Sequence, residues 1–366
     1  MKIFLLSALG ALAIALALAG FWLFRVPSFS STPDPAGSYA GALEKFAAIE
    51  RHESTLPLSP EGRSRLLTHG HKTGRVFVLL HGLTNAPEQF VPLAKILFAS
   101  GANVIIPRAR YAGFADRLND VQGLQSGQDL LDQAAAGLDI AAGLGDRVSL
   151  VGLSGSGVSA AWMAQNREGI DSVLIMSPFF SYYGHSTLFI DAMAALLSRA
   201  PNIYQWWDSE LKDKIPGPPY AYPRFGTRSL AGTIQLARAL RQQIGPLKAS
   251  RLDILITATD VGANNALTKE LAAQWEQANP GRVSLREFSA PDGVPHDMVD
   301  IHQPDARIDL TYPAILGLLQ VESSVAFSRR HSENPVSQGN GDRSPPPTEN
   351  GSAGPCGPGM PAGPAQ

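Results

Sequence analysis

Short, continuous apolar runs alternate along the chain with longer segments whose apolar residues recur at helical spacing. The runs predict strands at 75–81, 103–107, 147–152, 171–176, 253–258 and 282–288. The longer segments predict helices at 87–99, 126–142, 155–166, 266–277 and 306–320. Strands that are apolar throughout are covered on both faces. The pattern therefore predicts an α/β fold, with a mostly parallel central sheet and helices on both of its faces.

The segment at 178–250 interrupts this alternation, because it is too long for an ordinary connection between two strands. It contains five tyrosines and the pair Trp206-Trp207. We interpret it as an inserted lid with some helix of its own. The alternative is that its aromatic residues simply form a local core.

The N-terminus carries an uncharged apolar run from Ile3 to Phe24. As a helix this run is about 33 Å long, which is enough to cross a bilayer. Residues 1–26 are therefore predicted to be a membrane anchor, with cleavage as a signal segment after 17–19 as the alternative. Lys2 at one end and Arg25 at the other favour an N-terminus inside the cell and the rest of the chain outside the cytoplasm.

The other end of the chain changes composition at about residue 327. Residues 327–366 are rich in Pro, Gly and Ser and lack apolar periodicity, so they are predicted to be disordered. The folded domain is placed at 38–325.

A net charge of −2 argues against nucleic acid as a partner. The single cysteine, Cys356, excludes an internal disulfide framework and a cysteine-based zinc cluster.

The stretch VSLVGLSGSG at 148–157 holds the candidate nucleophile. A predicted strand ends there and a helix begins at once, so Ser154 lies on a sharp turn that projects its hydroxyl group. This turn requires small residues two positions before and after the serine, and Gly152 and Ser156 meet that requirement. Ser156 is the alternative nucleophile, but Val158 is then too large. A phosphate-binding loop is disfavoured by the glycine spacing and the lack of a lysine.

A nucleophilic serine needs a base, an acid that orients the base, and N–H donors for the oxyanion. Asp260 follows the strand at 253–258, and His296 lies in the loop after the last predicted strand. The N–H groups of Leu83 and Gly155 are the candidate oxyanion donors. The order serine, aspartate, histidine suits this kind of sheet. Asp260 as a turn cap is the alternative, and His81, at the end of a strand, is interpreted as structural.

With these positions placed, the chain resembles the α/β-hydrolase superfamily, and within it bacterial carboxylesterases, monoacylglycerol lipases and serine-aminopeptidase-like hydrolases. The resemblance spans 75–319 and rests on the segments 79–97, 103–117, 151–157, 253–265 and 294–298. It implies that Ser154, Asp260 and His296 are nucleophile, acid and base, and that Leu83 and Gly155 are the oxyanion donors. Two departures are Ser156 in place of the usual glycine and 108–113 (RARYAG) in place of the commoner Gly-His-Gly loop.

The resulting expectation is a serine hydrolase that cleaves carboxylic esters with an apolar acyl or alcohol group and needs no cofactor or metal. Its partners are expected to be a small-molecule ester or lipid-like substrate and, through the N-terminal segment, a membrane. The expected location is the bacterial inner membrane facing the periplasm, or secretion after cleavage. A catalytically silent binding protein, and an amide hydrolase or acyltransferase with the same triad, are the alternatives. The oligomeric state is left open.

Overall fold

The structure, a computed structural model, describes residues 20, 25–210 and 217–321. The predicted membrane or signal segment at 1–26 lies outside these residues, apart from 20, 25 and 26. The predicted tail at 327–366 lies outside them entirely. Across the described part of the chain, no helix combines the length and apolarity needed to cross a bilayer.

The centre of the molecule is a sheet in the order β1-β3-β2-β4-β5-β8-β9. The short strand β1 is antiparallel to β3, and every other neighbouring pair in this sheet is parallel. Two further strands, β6 and β7, form a separate antiparallel ribbon. The bounds are β1 Arg65–Leu67, β2 Thr73–Leu80, β3 Asn103–Ile106, β4 Gly145–Leu153, β5 Ser172–Met176, β6 Tyr204–Trp206, β7 Arg224–Gly226, β8 Arg251–Thr257 and β9 Val283–Phe288.

Helices cover both faces of this sheet. Their bounds are α1 Tyr39–Ser54, α2 Val91–Ala99, α3 Gly127–Leu144, α4 Gly155–Asn166, α5 Thr187–Leu197, α6 Thr227–Arg241, α7 Asn265–Ala278 and α8 Ile308–Leu318. Residues of α2 and α8 share one core with one face of the sheet, and residues of α1, α3, α4, α6 and α7 share another core with the opposite face. The predicted mostly parallel α/β architecture is confirmed.

The strand β2 shows why its sequence reads as a continuous apolar run. Val76, Val78 and Leu80 point into one core, whereas Phe77 and Leu79 point into the other. All five side chains are fully buried. Because successive side chains of a strand face opposite sides, a strand between two helical layers must be apolar at every position.

The segment between β5 and β8 is more closely joined to the domain than its sequence indicates. It contains α5, the ribbon of β6 and β7, and α6. Leu236, Ala237 and Leu240 of α6 are buried in the core that the sheet shares with α3 and α4. On α5, Ile190 and Ala194 pack against α6, while Leu188 is 81% exposed. The segment thus combines a helix that covers the sheet with a more peripheral layer.

Candidate active site

Ser154 occupies the turn between β4 and α4, with φ 57° and ψ −119°. This positive φ is a strained conformation for a serine, of the kind that neighbouring structure must impose. The Ser154 N–H donates to the Met176 carbonyl (2.9 Å), and its carbonyl accepts from the N–H groups of Gly157 and Phe179 (3.0 and 3.1 Å). A Cβ atom on Gly152 would lie 2.5 Å from the Ser156 carbonyl oxygen. The tight turn therefore depends on a glycine at 152.

The two candidate serines have different surroundings. Ser154 lines a cavity of about 680 Å³, whereas Ser156 is fully buried and does not line it. The Ser156 hydroxyl donates to the His81 carbonyl at 2.6 Å and lies 3.4 Å from the Gln133 amide oxygen. The departure from a glycine at 156 thus places a buried hydroxyl against the end of β2. Of the two serines, Ser154 is the one that a bound molecule can reach.

His81 is held on both sides of its ring inside the fold. The Ala109 N–H donates to His81 Nε2 (3.0 Å), so Nδ1 carries the proton and donates to the Gly82 carbonyl (2.9 Å). Burial lowers the pKa of His81 to about 4, so its ring is neutral at pH 7. The structure supports a structural role, in which His81 joins the end of β2 to the loop after β3.

Asp260 and His296 meet after the ends of β8 and β9. His296 Nδ1 and Asp260 Oδ2 are 2.7 Å apart, and the Asp260 side chain is fully buried. The other carboxylate oxygen, Oδ1, accepts from the N–H groups of Gly262 (2.8 Å) and Ala263 (2.9 Å). These bonds fix the carboxylate on one side and the imidazole on the other. Asp260 therefore does orient a turn, as the alternative interpretation held, while its second oxygen holds the histidine.

The electrostatics of this pair favour a charged carboxylate and a basic imidazole. Burial by itself raises the pKa of Asp260. The hydrogen bond to His296 and the bonds from the Ala263 and Gly262 N–H groups have a larger, opposite effect, so the pKa of Asp260 lies below its usual value. Burial lowers the pKa of His296, but Asp260, with a contribution from Asp297, brings it above the usual 6.5. A histidine in this setting accepts a proton readily.

The two candidate oxyanion donors are adjacent. A Cβ atom on Gly155 would lie 3.4 Å from the Leu83 Cβ atom. The loop that carries Leu83 is fixed on either side of it: the Gly82 N–H donates to Gln89 Oε1 (2.9 Å), and the Thr84 carbonyl accepts from the Tyr222 N–H (2.7 Å). Gly155 begins α4, where a backbone N–H has no partner within the helix. The site thus pairs a helix N-terminus with a fixed loop.

All five residues singled out from the sequence line this cavity: Ser154, Asp260, His296, Leu83 and Gly155. The segment at 178–250 contributes Phe179, Trp207, Tyr222 and Leu230 to the walls. A cavity of this volume, with mainly apolar walls and a few polar groups, suits a small organic molecule.

Sequence reasoning missed several residues of the site, above all Asp297. It also missed Gln89, which accepts from the Gly82 N–H beside Leu83, and Asn85, whose side-chain amide donates to Asp297. Asp297 follows His296 directly, and that adjacency was its one signal in the sequence. The supporting amides carried no pattern of their own.

The loop at 108–113 departs from the commoner Gly-His-Gly pattern for a structural reason. Arg108 is buried, and its Nε donates to Glu53 Oε1 at 3.1 Å. Its Nη1 donates to the carbonyls of Ala109 (3.2 Å) and Ala112 (3.1 Å). Arg108 does not line the cavity. The arginine ties this loop to α1.

Three solved structures with this architecture are distant from this chain in sequence. A metagenome-derived lipolytic enzyme of the LipS and LipT pair matches 72% of this chain and 99% of its own, with 13% identity and a TM-score of 0.53. A monoacylglycerol lipase of Paleococcus ferrophilus matches 71% and 98%, with 14% identity and a TM-score of 0.54. A monoglyceride lipase of Saccharomyces cerevisiae matches 70% and 91%, with 13% identity and a TM-score of 0.50.

No family model matches the sequence, and no curated protein matches it. At these identities the structural matches establish the fold, which is that of the α/β-hydrolases. A fold of this kind supports many activities, and the activity depends on the residues of the cavity.

Proposed function

We propose that this chain is a serine hydrolase that cleaves carboxylic esters. The observation that carries the proposal is the convergence of Ser154, on its strained turn, and the bonded pair of Asp260 and His296 on one cavity. A nucleophile, a base and a group that orients the base are the parts that acyl transfer requires. The adjacent Leu83 and Gly155 supply N–H groups for the oxyanion.

In the proposed mechanism, Ser154 Oγ attacks the ester carbonyl carbon while His296 Nε2 takes the hydroxyl proton. The tetrahedral oxyanion is bound by the Leu83 and Gly155 N–H groups, and each such donor is worth about 2.7–4 kcal/mol in comparable sites. His296 then gives the proton to the leaving alcohol as the C–O bond breaks. A water molecule then attacks the carbonyl carbon of the acyl-enzyme while His296 takes its proton. The bond to Ser154 Oγ breaks, the acid is released, and His296 returns the proton to the serine. Asp260 remains ionised and holds Nδ1–H in place.

We propose an apolar acyl or alcohol group in the substrate, because the walls formed by Phe179, Trp207 and Leu230 are apolar or aromatic. The similar structures described above are a lipolytic enzyme, a monoacylglycerol lipase and a monoglyceride lipase. Those names favour a small ester or lipid-like substrate here as well. The segment at 178–250 is proposed to act as the lid over the cavity. The proposed reaction uses protein groups and water and needs no cofactor.

We also propose the location expected from the sequence. Residues 1–26 would anchor the chain in the bacterial inner membrane, with the hydrolase domain on the periplasmic side, and secretion after cleavage is the alternative. Fractionation of cells that express the full chain tests this. Recovery of the full-length chain in the membrane fraction, and its digestion by protease added to spheroplasts, would support the anchor and its orientation.

The activity is tested by hydrolysis of p-nitrophenyl esters of increasing acyl length. Ser154→Ala, His296→Ala and Asp260→Ala are expected to lose hydrolysis. Ser154→Ala should keep the wild-type melting behaviour, whereas Asp260→Ala should melt lower, because it leaves the Gly262 and Ala263 N–H groups without their acceptor. Ser156→Ala is the matched control, because it removes the same hydroxyl group outside the cavity. Loss of activity in Ser156→Ala with activity retained in Ser154→Ala would refute the assignment. A folded wild type that cleaves no ester would favour the silent binding protein or an amide substrate.

A further inference from the structure

A second carboxylate lines the cavity beside the histidine. Asp297 follows His296 and contributes to the same wall. Its Oδ2 accepts from the Gln303 side-chain amide at 2.8 Å and from the Asn85 amide at 3.4 Å. These two amides come from separate loops of the chain, and together they limit the freedom of the carboxylate to swing away. Asp297 is thus a fixed group at the wall.

A third carboxylate lies directly behind it. Asp300 is 1% exposed, and its N–H donates to the Asp297 carbonyl at 3.2 Å. Asp300 Oδ1 accepts from the Tyr220 hydroxyl (2.7 Å) and the His302 N–H (3.0 Å). Asp300 Oδ2 has no hydrogen-bond partner among the described residues. A carboxylate oxygen so deeply buried is ordinarily paired, so Asp300 is an unusual buried acidic group next to Asp297.

Within the described ranges, these two carboxylates lack a permanent counter-charge. In the part of the chain that the structure describes, no lysine or arginine forms an ion pair with Asp297 or Asp300. Burial raises the pKa of Asp297, and Asp300 raises it further, against the lowering effect of His296. His296 must itself be neutral to act as a base. A positive charge from outside the protein would therefore stabilise this wall.

The other charged residues in the described lining around Asp297 include the carboxylates Asp260 and Asp305 and the titratable His296. No lysine or arginine is found among the described lining residues. Trp207 and Tyr222 add aromatic side chains to the walls, and aromatic rings attract cations. A cavity whose lining combines a carboxylate with aromatic side chains suits an ammonium group.

We propose that the cavity selects esters that carry a positively charged ammonium group, and that Asp297 is the residue that determines this specificity. The inference rests on the proposed function and adds the chemical class of substrate. Esters with a carboxylate in the same place are expected to be poor substrates, because they meet Asp297, with Asp300 behind it, without compensation. Neutral esters are expected to lie between the two.

The test uses a matched set of three butanoate esters: that of choline, its carbon isostere with a neutral quaternary carbon, and an ester of similar size with a carboxylate. In the full-length wild type, kcat/KM is expected to be about tenfold higher for the choline ester than for the isostere and lowest for the carboxylate ester. Asp297→Asn is expected to lower the ratio of kcat/KM for the choline ester to that for the isostere from about tenfold to less than about threefold, whatever change in kcat/KM the two esters share. Asp146→Asn, which removes a charge where β4 begins, is the control and should keep it.

A preference for the choline ester that survives in Asp297→Asn, or a wild type that prefers the carboxylate ester, would overturn the inference.

Binding provides a readout that does not depend on turnover. Calorimetric titration of Ser154→Ala with the choline ester and with its isostere is expected to show tighter binding of the charged ester, and the difference should vanish in Ser154→Ala with Asp297→Asn. If neither ester is hydrolysed but this difference is found, the proposed activity fails and the ammonium site stands. If binding shows no difference, the ammonium site fails, whatever the activity.

Discussion

Removal of the Glu53 carboxylate is expected to destabilise the domain strongly, because Glu53 joins three parts of the fold. It lies on α1 with its side chain 3% exposed. Its oxygens accept from the Ser64 N–H (2.9 Å), the Ser64 hydroxyl (2.6 Å) and Arg108 Nε (3.1 Å). Through these bonds α1, the start of β1 and the loop after β3 are held together. Glu53→Ala leaves a buried guanidinium and two buried donors without their acceptor.

The magnitude follows from the burial of the pair. Breaking a buried ion pair by removing one partner costs about 3–5 kcal/mol. For a domain of this size, a loss of 1 kcal/mol lowers the melting midpoint by about 2 °C. The expected fall for Glu53→Ala is therefore about 6–10 °C in a calorimetric or circular-dichroism melt of the purified chain. Adding Arg108→Met should recover part of the loss, since it removes the unpaired charge.

An exposed pair provides the comparison. Asp146 pairs with Lys72 at 3.1 Å on the surface, with side chains 70% and 45% exposed. Asp146→Ala should change the midpoint by no more than about 2 °C, because surface ion pairs contribute little. A fall of less than about 2 °C in Glu53→Ala, or a double variant with Arg108→Met that melts lower still, would refute the assignment of a stabilising role to this buried pair.

Four further outcomes are expected. Ser156→Ala should keep ester hydrolysis and lose about 1–3 kcal/mol of unfolding free energy, measured by urea denaturation, since it deletes a buried hydrogen bond. The value of kcat/KM should rise with pH through a midpoint above 6.5, because His296 acts when neutral and its pKa is raised. Asp260→Asn should lower that midpoint and reduce kcat by about 10⁴-fold, as pH–rate profiles would show. Gly152→Val should fail to give folded protein in expression trials, whereas Gly74→Val, at an open position, should fold.

The parallel core was predictable because its buried strands are continuous apolar runs in the sequence. Positions 147–152 read as a buried strand, and β4 spans Gly145–Leu153. By contrast, α1 and β1 were not predicted: α1 buries just Ala42, Phe46 and Glu53, and β1 has three half-buried residues. The part that α6 plays in the core depends on contacts with α3 and α4, which are distant in sequence and leave no periodicity of their own.

The candidate site was predictable to the extent that sheet topology brings it together. Ser154, Asp260 and His296 follow parallel strands whose C-terminal ends lie at one edge, so their approach follows from the fold. Their catalytic roles stay a prediction until activity is measured. The place of Asp297 was not predictable, because it is held by Asn85, 212 positions away, in a contact that no local pattern records.

The central claim is that Ser154 is an activated nucleophile, and labelling with a fluorophosphonate probe tests it most directly. The probe forms a covalent bond only with a serine whose proton is taken by a base. We expect labelling of the wild type and of Ser156→Ala, and none of Ser154→Ala or His296→Ala. Undiminished labelling of folded Ser154→Ala, or no labelling of the folded wild type, would contradict the account.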